Sequence, residues 1–149
     1  MSIKRIVVGI DGSDNGRRAM AWAADLASTT DADLIAVHAV GLLPHPADHH
    51  GAGYRDAVEA RRLVEGEWTA HVAAADLRIR WHVADGDPVS VLLRTVAEES
   101  ADLAVVGTRG RGGRPGLLLG STSHQLAERC PCPVVIVPPN QPTEPGSPA

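Results

Sequence analysis

Four short, nearly uninterrupted apolar runs constrain this chain more than any other feature: residues 3–10 around Ile6-Val7-Val8, residues 34–39, residues 103–106 and residues 133–137. A strand with one wet face alternates apolar with polar side chains. A strand that is apolar throughout must be covered on both faces, as happens in parallel sheets lying between helices. The intervening segments supply those helices. Ala19, Trp22, Ala23, Leu26 and Ala27 recur at helical spacing, with Ser13 or Asp14 in position to cap. Residues 54–75 read as one long helix with apolar positions at Val58, Leu63, Val64, Trp68 and Val72. Asp87 as N-cap and Pro88 at the first helical position open a third helix that runs to about residue 100. Residues 77–83 differ from the four runs because Leu77, Ile79, Trp81 and Val83 alternate with Arg78, Arg80 and His82, which marks a strand near a sheet edge. Strands alternating with helices predict a parallel α/β sheet with right-handed crossovers and helices on both faces.

In such sheets ligands bind beyond the carboxyl ends of the strands, where the topology switches. That edge receives Ile10-Asp11-Gly12-Ser13, Ala39-Val40, Asp85-Gly86 and the segment from Gly107 to Ser123. The last segment most needs a ligand to explain it. An apolar strand ends in a stretch rich in glycine and arginine, and helix-forming residues resume at His124. Glycines let backbone N–H groups approach an anion closely, and a helix start adds unpaired donors and the positive end of its dipole. The spacing is GxxG at Gly107 and Gly110, nine residues, then Gly120 followed by Ser121 and Thr122. A P-loop needs lysine after its last glycine, and a dinucleotide fingerprint places its glycines after the first strand, so neither fits. Charge alone adds Arg109 and Arg111 to the candidate phosphate site.

Composition narrows the remaining choices. At 149 residues the chain is one domain with room for a core, and with 3% aromatics and no Phe that core is built from Val, Leu, Ile and Ala. A net charge of −4 gives no general attraction to nucleic acid or to anionic membrane. No apolar run approaches the roughly 20 residues needed to span a bilayer, and the first residues read as a strand rather than a secretory segment, so a cytoplasmic location is expected. His45, Asp48, His49 and His50 fall in a segment rich in Pro and Gly, residues 40–53, that reads as an exposed loop rather than a metal site. His38 and His82 read as structural histidines within strands, and His124 as a residue of a helix surface. Cys130 and Cys132 flank Pro131. Such a pair can ligate metal or switch redox state, but no second Cys/His pair completes a zinc set, and near-core thiols at a helix-to-strand junction are the simpler reading. Residues 139–149 form a proline-rich tail expected to be disordered.

The chain resembles the universal stress protein family, in particular its ATP-binding branch, over roughly residues 2–138. The resemblance rests on Ile10-Asp11-Gly12-Ser13, Val37-His38-Ala39, Gly86-Asp87-Pro88, the glycine motif, and Cys132-Pro133-Val134-Val135-Ile136-Val137-Pro138. It implies an open five-stranded parallel sheet of order 3-2-1-4-5, Rossmann-like, with adenine held between the ends of the first and second strands. By the same resemblance Asp11 contacts the ribose or a nearby group, the Ala39 backbone meets the adenine edge, and Gly107, Gly110, Gly120, Ser121 and Thr122 hold phosphates. Cys130 departs from the small apolar residue usual there.

The implied function is a cytoplasmic stress-response protein that binds ATP, with or without magnesium, as a nucleotide-dependent sensor or regulator. The alternatives are a slow ATPase or phosphate-transfer enzyme, a cyclic-nucleotide binder, and a dimerisation module without nucleotide. Against the enzyme, Asp11 and Asp85 are the only acids that the pattern brings to the crevice, and phosphoryl transfer needs a positioned metal and nucleophile. The short apolar last strand, Val134 to Val137, is expected at a sheet edge. There it would pair with a second copy in a homodimer, as the resemblance also implies.

Overall fold

A computed structural model describes residues 1–40, 52–66, 70–72, 76–108 and 119–139. Its elements run β1 (Arg5–Gly9), α1 (Asp14–Thr30), β2 (Asp33–Val40), α2 (Ala52–Glu65), a 3-10 turn (Ala70–Val72), β3 (Ile79–Asp85), α3 (Pro88–Glu99), β4 (Leu103–Gly107), α4 (Ser121–Arg129) and β5 (Val134–Val137). The strands form one five-stranded sheet in the order β3-β2-β1-β4-β5, and every pairing is parallel. This is the architecture expected from the sequence. In the central register Val7 stands opposite Ile35 on one side and Ala104 on the other.

The continuous apolar runs are explained by two separate cores, one on each face. Ile6, Val8, Leu34, Ala36, Leu103 and Val105 point to the face covered by α1, α2 and the 3-10 turn, where they meet Met20, Val64 and Val72. Val7, Ile35, Val37, Ala104 and Val106 point to the other face and meet Val91, Leu92, Val96 and Leu126 of α3 and α4. Burying a Val, Leu or Ile side chain stabilises by about 1.5–3 kcal/mol. Both faces of the central strands contribute, so β1, β2 and β4 are the most firmly held part of the fold. On β3, Ile79, Trp81 and Val83 pack inward on the α1–α2 face while Arg80 and His82 are exposed, which accounts for its alternation.

Helix α1 lies close to the sheet because its buried positions are small: Gly16, Ala19, Ala23, Ala24 and Ala27, with Met20 the largest. Two apolar positions of the helical patterns face out instead of in. Trp22 is 40% exposed and Val58 54% exposed, since neither lies on the stripe that meets the sheet. The long second helix expected over residues 54–75 is also corrected. It ends at Glu65, and Gly66 follows, its N–H still reaching the Arg62 carbonyl at 3.1 Å. A glycine costs about 1 kcal/mol relative to alanine inside a helix, and Val72 beyond it is buried from a separate 3-10 turn. Of the loop expected over residues 40–53, Val40 instead ends β2 and Ala52 and Gly53 open α2, while residues 41–51, including His45, Asp48, His49 and His50, and all of the expected tail after residue 139 lie outside the described residues. No helix among those described is long and apolar enough to cross a membrane.

Candidate functional site

The crevice is built at the carboxyl ends of β1 and β4, the neighbours between which the order of connection reverses. From β1 the chain enters Ile10-Asp11-Gly12-Ser13, a turn held from beneath by β2. The Ile10 N–H donates to the Val37 carbonyl at 2.9 Å, and the Ile10 carbonyl accepts from His38 Nδ1 at 2.8 Å. Gly12 takes φ 80°, a left-handed conformation that a side chain would strain. The Asp11 carboxylate then shapes the turn: its Oδ1 accepts from the Ser13 N–H at 3.0 Å and from the Ser13 hydroxyl. Ser13 Oγ in turn accepts from the Gly16 N–H at 3.1 Å and caps α1. Gly16 is required by this arrangement, because a Cβ there would lie 2.8 Å from Asp11 Oδ1. One oxygen of Asp11 is therefore committed to its own turn.

The end of β4 comes hard against the start of α1. A Cβ on Gly107 would sit 2.9 Å from both the Cβ and the carbonyl oxygen of Asn15, so glycine here answers a close approach of two chain segments. Beyond it the glycine-rich connection is clasped at its two ends. The Thr108 N–H donates to the Val137 carbonyl at 3.1 Å, the Gly120 N–H donates to the Thr108 carbonyl at 2.6 Å, and the buried Ser123 hydroxyl donates to Thr108 O at 2.8 Å. Arg109, Gly110 and Arg111 lie outside the described residues. Thr108 Oγ1 is buried and, among the described residues, lacks a hydrogen-bond partner.

Helix α4 starts differently from its neighbours. Ser13 caps α1 and Asp87 caps α3, whose Oδ2 accepts from the Ser90 N–H at 3.0 Å, whereas the N-cap of α4 is Gly120 and offers no side chain. The N–H groups of a first helical turn have no intrahelical partner and carry the positive end of the dipole. Ser121 and Thr122 stand on that turn, Ser121 Oγ accepting from Gln125 Nε2 at 2.9 Å. The donor set faces an anion's requirements: backbone N–H groups, hydroxyls, and no acid on α4's first turn. Ala39, near the end of β2, pairs with Ala84 of β3. The described parts of the sequence-expected site, namely Ile10, Asp11, Gly12, Ser13, Ala39, Gly107, Gly120, Ser121 and Thr122, thus belong to one edge of the sheet.

Sequence reasoning missed three contributors, Asn15, Gly16 and Ser123, which hold residues of the expected site in place. Ser123 could have been found from the run Ser121-Thr122-Ser123, though not which of the three hydroxyls turns inward. His38, read as a structural histidine within its strand, has that role through the Ile10 carbonyl. His124 is exposed, its Nε2 3.1 Å from Glu128 Oε1, and His82 is exposed on β3. Carboxyls held below their usual range lie at the opposite edge of the sheet: Asp33 by the Arg78 guanidinium, Glu99 by that of Arg80, and Asp102 by the N–H groups of Lys4 and Arg5. Among the described residues no three His, Cys, Asp or Glu side chains gather as a metal site.

The model of the universal stress protein family matches residues 2–138. The chain belongs to the universal stress protein family. A universal stress protein of Thermus aquaticus is 36% identical over 137 residues, a match spanning 90% of this chain and 98% of the relative. Among solved structures, a universal stress protein in complex with cAMP is 31% identical with a TM-score of 0.67, over 92% of this chain and 98% of that one. The hypothetical protein MJ0577 shares the fold at a TM-score of 0.84 and 16% identity, over 95% of this chain and 100% of that one.

Proposed function

We propose that this universal stress protein binds an adenine nucleotide in the crevice between the β1 turn and the start of α4, and that the ligand is ATP, with or without magnesium. The observation that carries the reading is the start of α4, which follows a clasped glycine-rich connection and opens on a glycine that provides no side-chain cap. The buried Thr108 Oγ1 at the head of that connection, which has no hydrogen-bond partner among the described residues, supports it. In this reading Gly107, Gly110, Gly120, Ser121 and Thr122, with Arg109 and Arg111, receive the phosphates. The turn Ile10-Asp11-Gly12-Ser13 borders the sugar, and the Ala39 backbone meets the adenine edge. The protein acts as a cytoplasmic stress-response sensor through its bound state, and residues 1–138 act as one nucleotide-binding domain. It works as a homodimer paired along the outer edge of β5, Val134–Val137, whose four β-branched residues leave one row of backbone groups unpaired within the sheet. A monomeric mass in light scattering, with and without ATP, would count against that assembly.

A second reading, cAMP as the ligand, is favoured by the 31% identical neighbour crystallised with cAMP. One phosphate meets the same donors as three. Calorimetry with ATP and with cAMP on the purified parent separates the two readings, and Gly120→Val tests the site. Gly120 has φ −72°, which valine adopts without strain, so the fold should survive while affinity for the preferred nucleotide drops by about 100-fold or more, roughly 2.7 kcal/mol. A variant binding as tightly as the parent would remove α4 from the site. Failure of the parent to bind either nucleotide would leave the dimerisation module. For a sensor, phosphate release from ATP stays below about one event per minute, far under the enzyme range of roughly 1–1000 per second. Turnover of several per second, lost in Asp11→Asn with affinity kept, would make this an ATPase.

A further inference from the structure

The two cysteines take no part in the crevice. Cys130 is the C-cap of α4, its N–H donating to the Leu126 carbonyl at 2.9 Å, and Cys132 follows two residues later, ahead of β5. Pro131 between them has its φ fixed by the ring, so the three-residue link samples few conformations. In this setting the two Sγ atoms stand 3.5 Å apart. Both are half-buried free thiols that pack beside Ala101, Val134 and Ile136 against the α3–α4 core. A disulfide bond is about 2.05 Å long, so an approach of roughly 1.5 Å would close it.

We propose that Cys130 and Cys132 form a dithiol–disulfide site that low-molecular-weight disulfides oxidise to an intramolecular Cys130–Cys132 bond and small thiols reduce again. The order of events follows from the surroundings. Burial first, and then the contact with the Cys130 thiol, push the Cys132 thiol up to about 12, so Cys132 keeps its proton. Cys130 is therefore the sulfur that attacks. Its thiolate displaces one small thiolate from the disulfide RS–SR and forms Cys130–S–S–R. Cys132 then gives its proton to water, attacks Cys130 Sγ, and releases the second RS⁻, which is protonated. One RS–SR is reduced to two RSH as two protein thiols become one disulfide, so atoms and electrons balance. The ring closed by so short a link is strained, and strain makes a disulfide easier to reduce. That suits a site that is meant to reverse.

The test is intact-mass spectrometry of the native protein exposed to a small aliphatic disulfide at neutral pH. The parent should lose the mass of two hydrogens, retain no adduct, remain uncrosslinked on a non-reducing gel, and regain its mass with added thiol. Cys132→Ser should accumulate the small thiol on Cys130, at least about tenfold more than the parent, because nothing remains to resolve the mixed disulfide. Cys130→Ser should acquire adduct more slowly than Cys132→Ser. Stable adducts on the parent, chains crosslinked to one another, or no change of mass over hours would each overturn the proposal. Circular dichroism on both variants separates a lost reaction from a lost fold, and the parent's own mass change decides the matter if either variant fails to fold.

Discussion

The two edges of the sheet are held together by different physics. At the amino edge the contacts are charged and wet: Arg78 reaches Asp33 at 2.6 Å and Asp31 at 3.0 Å, Arg80 reaches Glu99 at 2.6 Å, and Asp102 accepts from the Lys4 and Arg5 N–H groups. The two arginines and Asp31 are exposed, the Arg78 side chain by 57% and that of Asp31 by 86%, while Asp33 and Glu99 are half-buried. At the carboxyl edge the contacts that join one element to another are mostly backbone against backbone, a buried hydroxyl, and a glycine with no room for a Cβ, while the Asp11 and Asp87 carboxylates serve only their own turns. Long charged side chains can re-form a pair after many changes, but a backbone held at van der Waals distance has nowhere to go. One edge tolerates substitution, and the other specifies a shape.

The largest expected effect is at Gly107. Gly107→Ala puts a methyl group 2.9 Å from Asn15 O and should lower unfolding stability by about 1–3 kcal/mol in urea, the usual cost of overpacking. An unchanged midpoint would mean that the α1–β4 approach is looser than described, and the contrast between edges would weaken. Next comes Ser123→Ala, which removes the hydroxyl donating to Thr108 O and should cost about 1 kcal/mol in the same experiment. It should also weaken nucleotide binding more than it weakens the fold. Arg80→Gln at the other edge should cost less than about 1 kcal/mol, since Arg80 is exposed and its pair with the half-buried Glu99 still borders water of high dielectric. A loss as large as that of Gly107→Ala would erase the distinction. The smallest effect is collective. Asp33, Glu99 and Asp102 all have lowered folded-state pKa values, so their contribution is full above the ordinary carboxyl range near pH 4 and is lost as pH falls through the lower folded values. Thermal melts at stepped pH should be flat from neutral to about pH 5 and then decline, and added salt should blunt the decline.

The amino-acid sequence made the sheet legible because burial on both faces leaves a one-dimensional trace. Ile6-Val7-Val8 has no polar gap since Val7 meets one core and its neighbours the other. It made the glycine-rich connection between β4 and α4 legible because glycine spacing is local. What it concealed depends on pairs distant along the chain. His38 gripping Ile10 spans 28 residues, and Asn15 over Gly107 is a contact between two elements whose sequences say nothing of each other. The end of α2 was obscured by Trp68 and Val72, which keep the helical period although the helix has stopped at Glu65. Trp22 shows the converse: it fits a helical period, yet the face it occupies is a matter of how α1 is rolled on the sheet.

The clasp between Thr108 and Gly120 separates two properties that usually change together. With the Gly120 N–H and the Ser123 hydroxyl both fixed on the Thr108 carbonyl, β4 and α4 are joined at the base of the segment whatever its length. Doubling the span of a flexible loop adds only about 0.6 kcal/mol of closure entropy. Insertions between residues 109 and 118 should therefore leave the melting temperature almost where it was while altering what the segment can embrace. The sheet thus carries an interchangeable part: a scaffold on which the length and composition of that segment can drift, or be engineered, without renegotiating the fold.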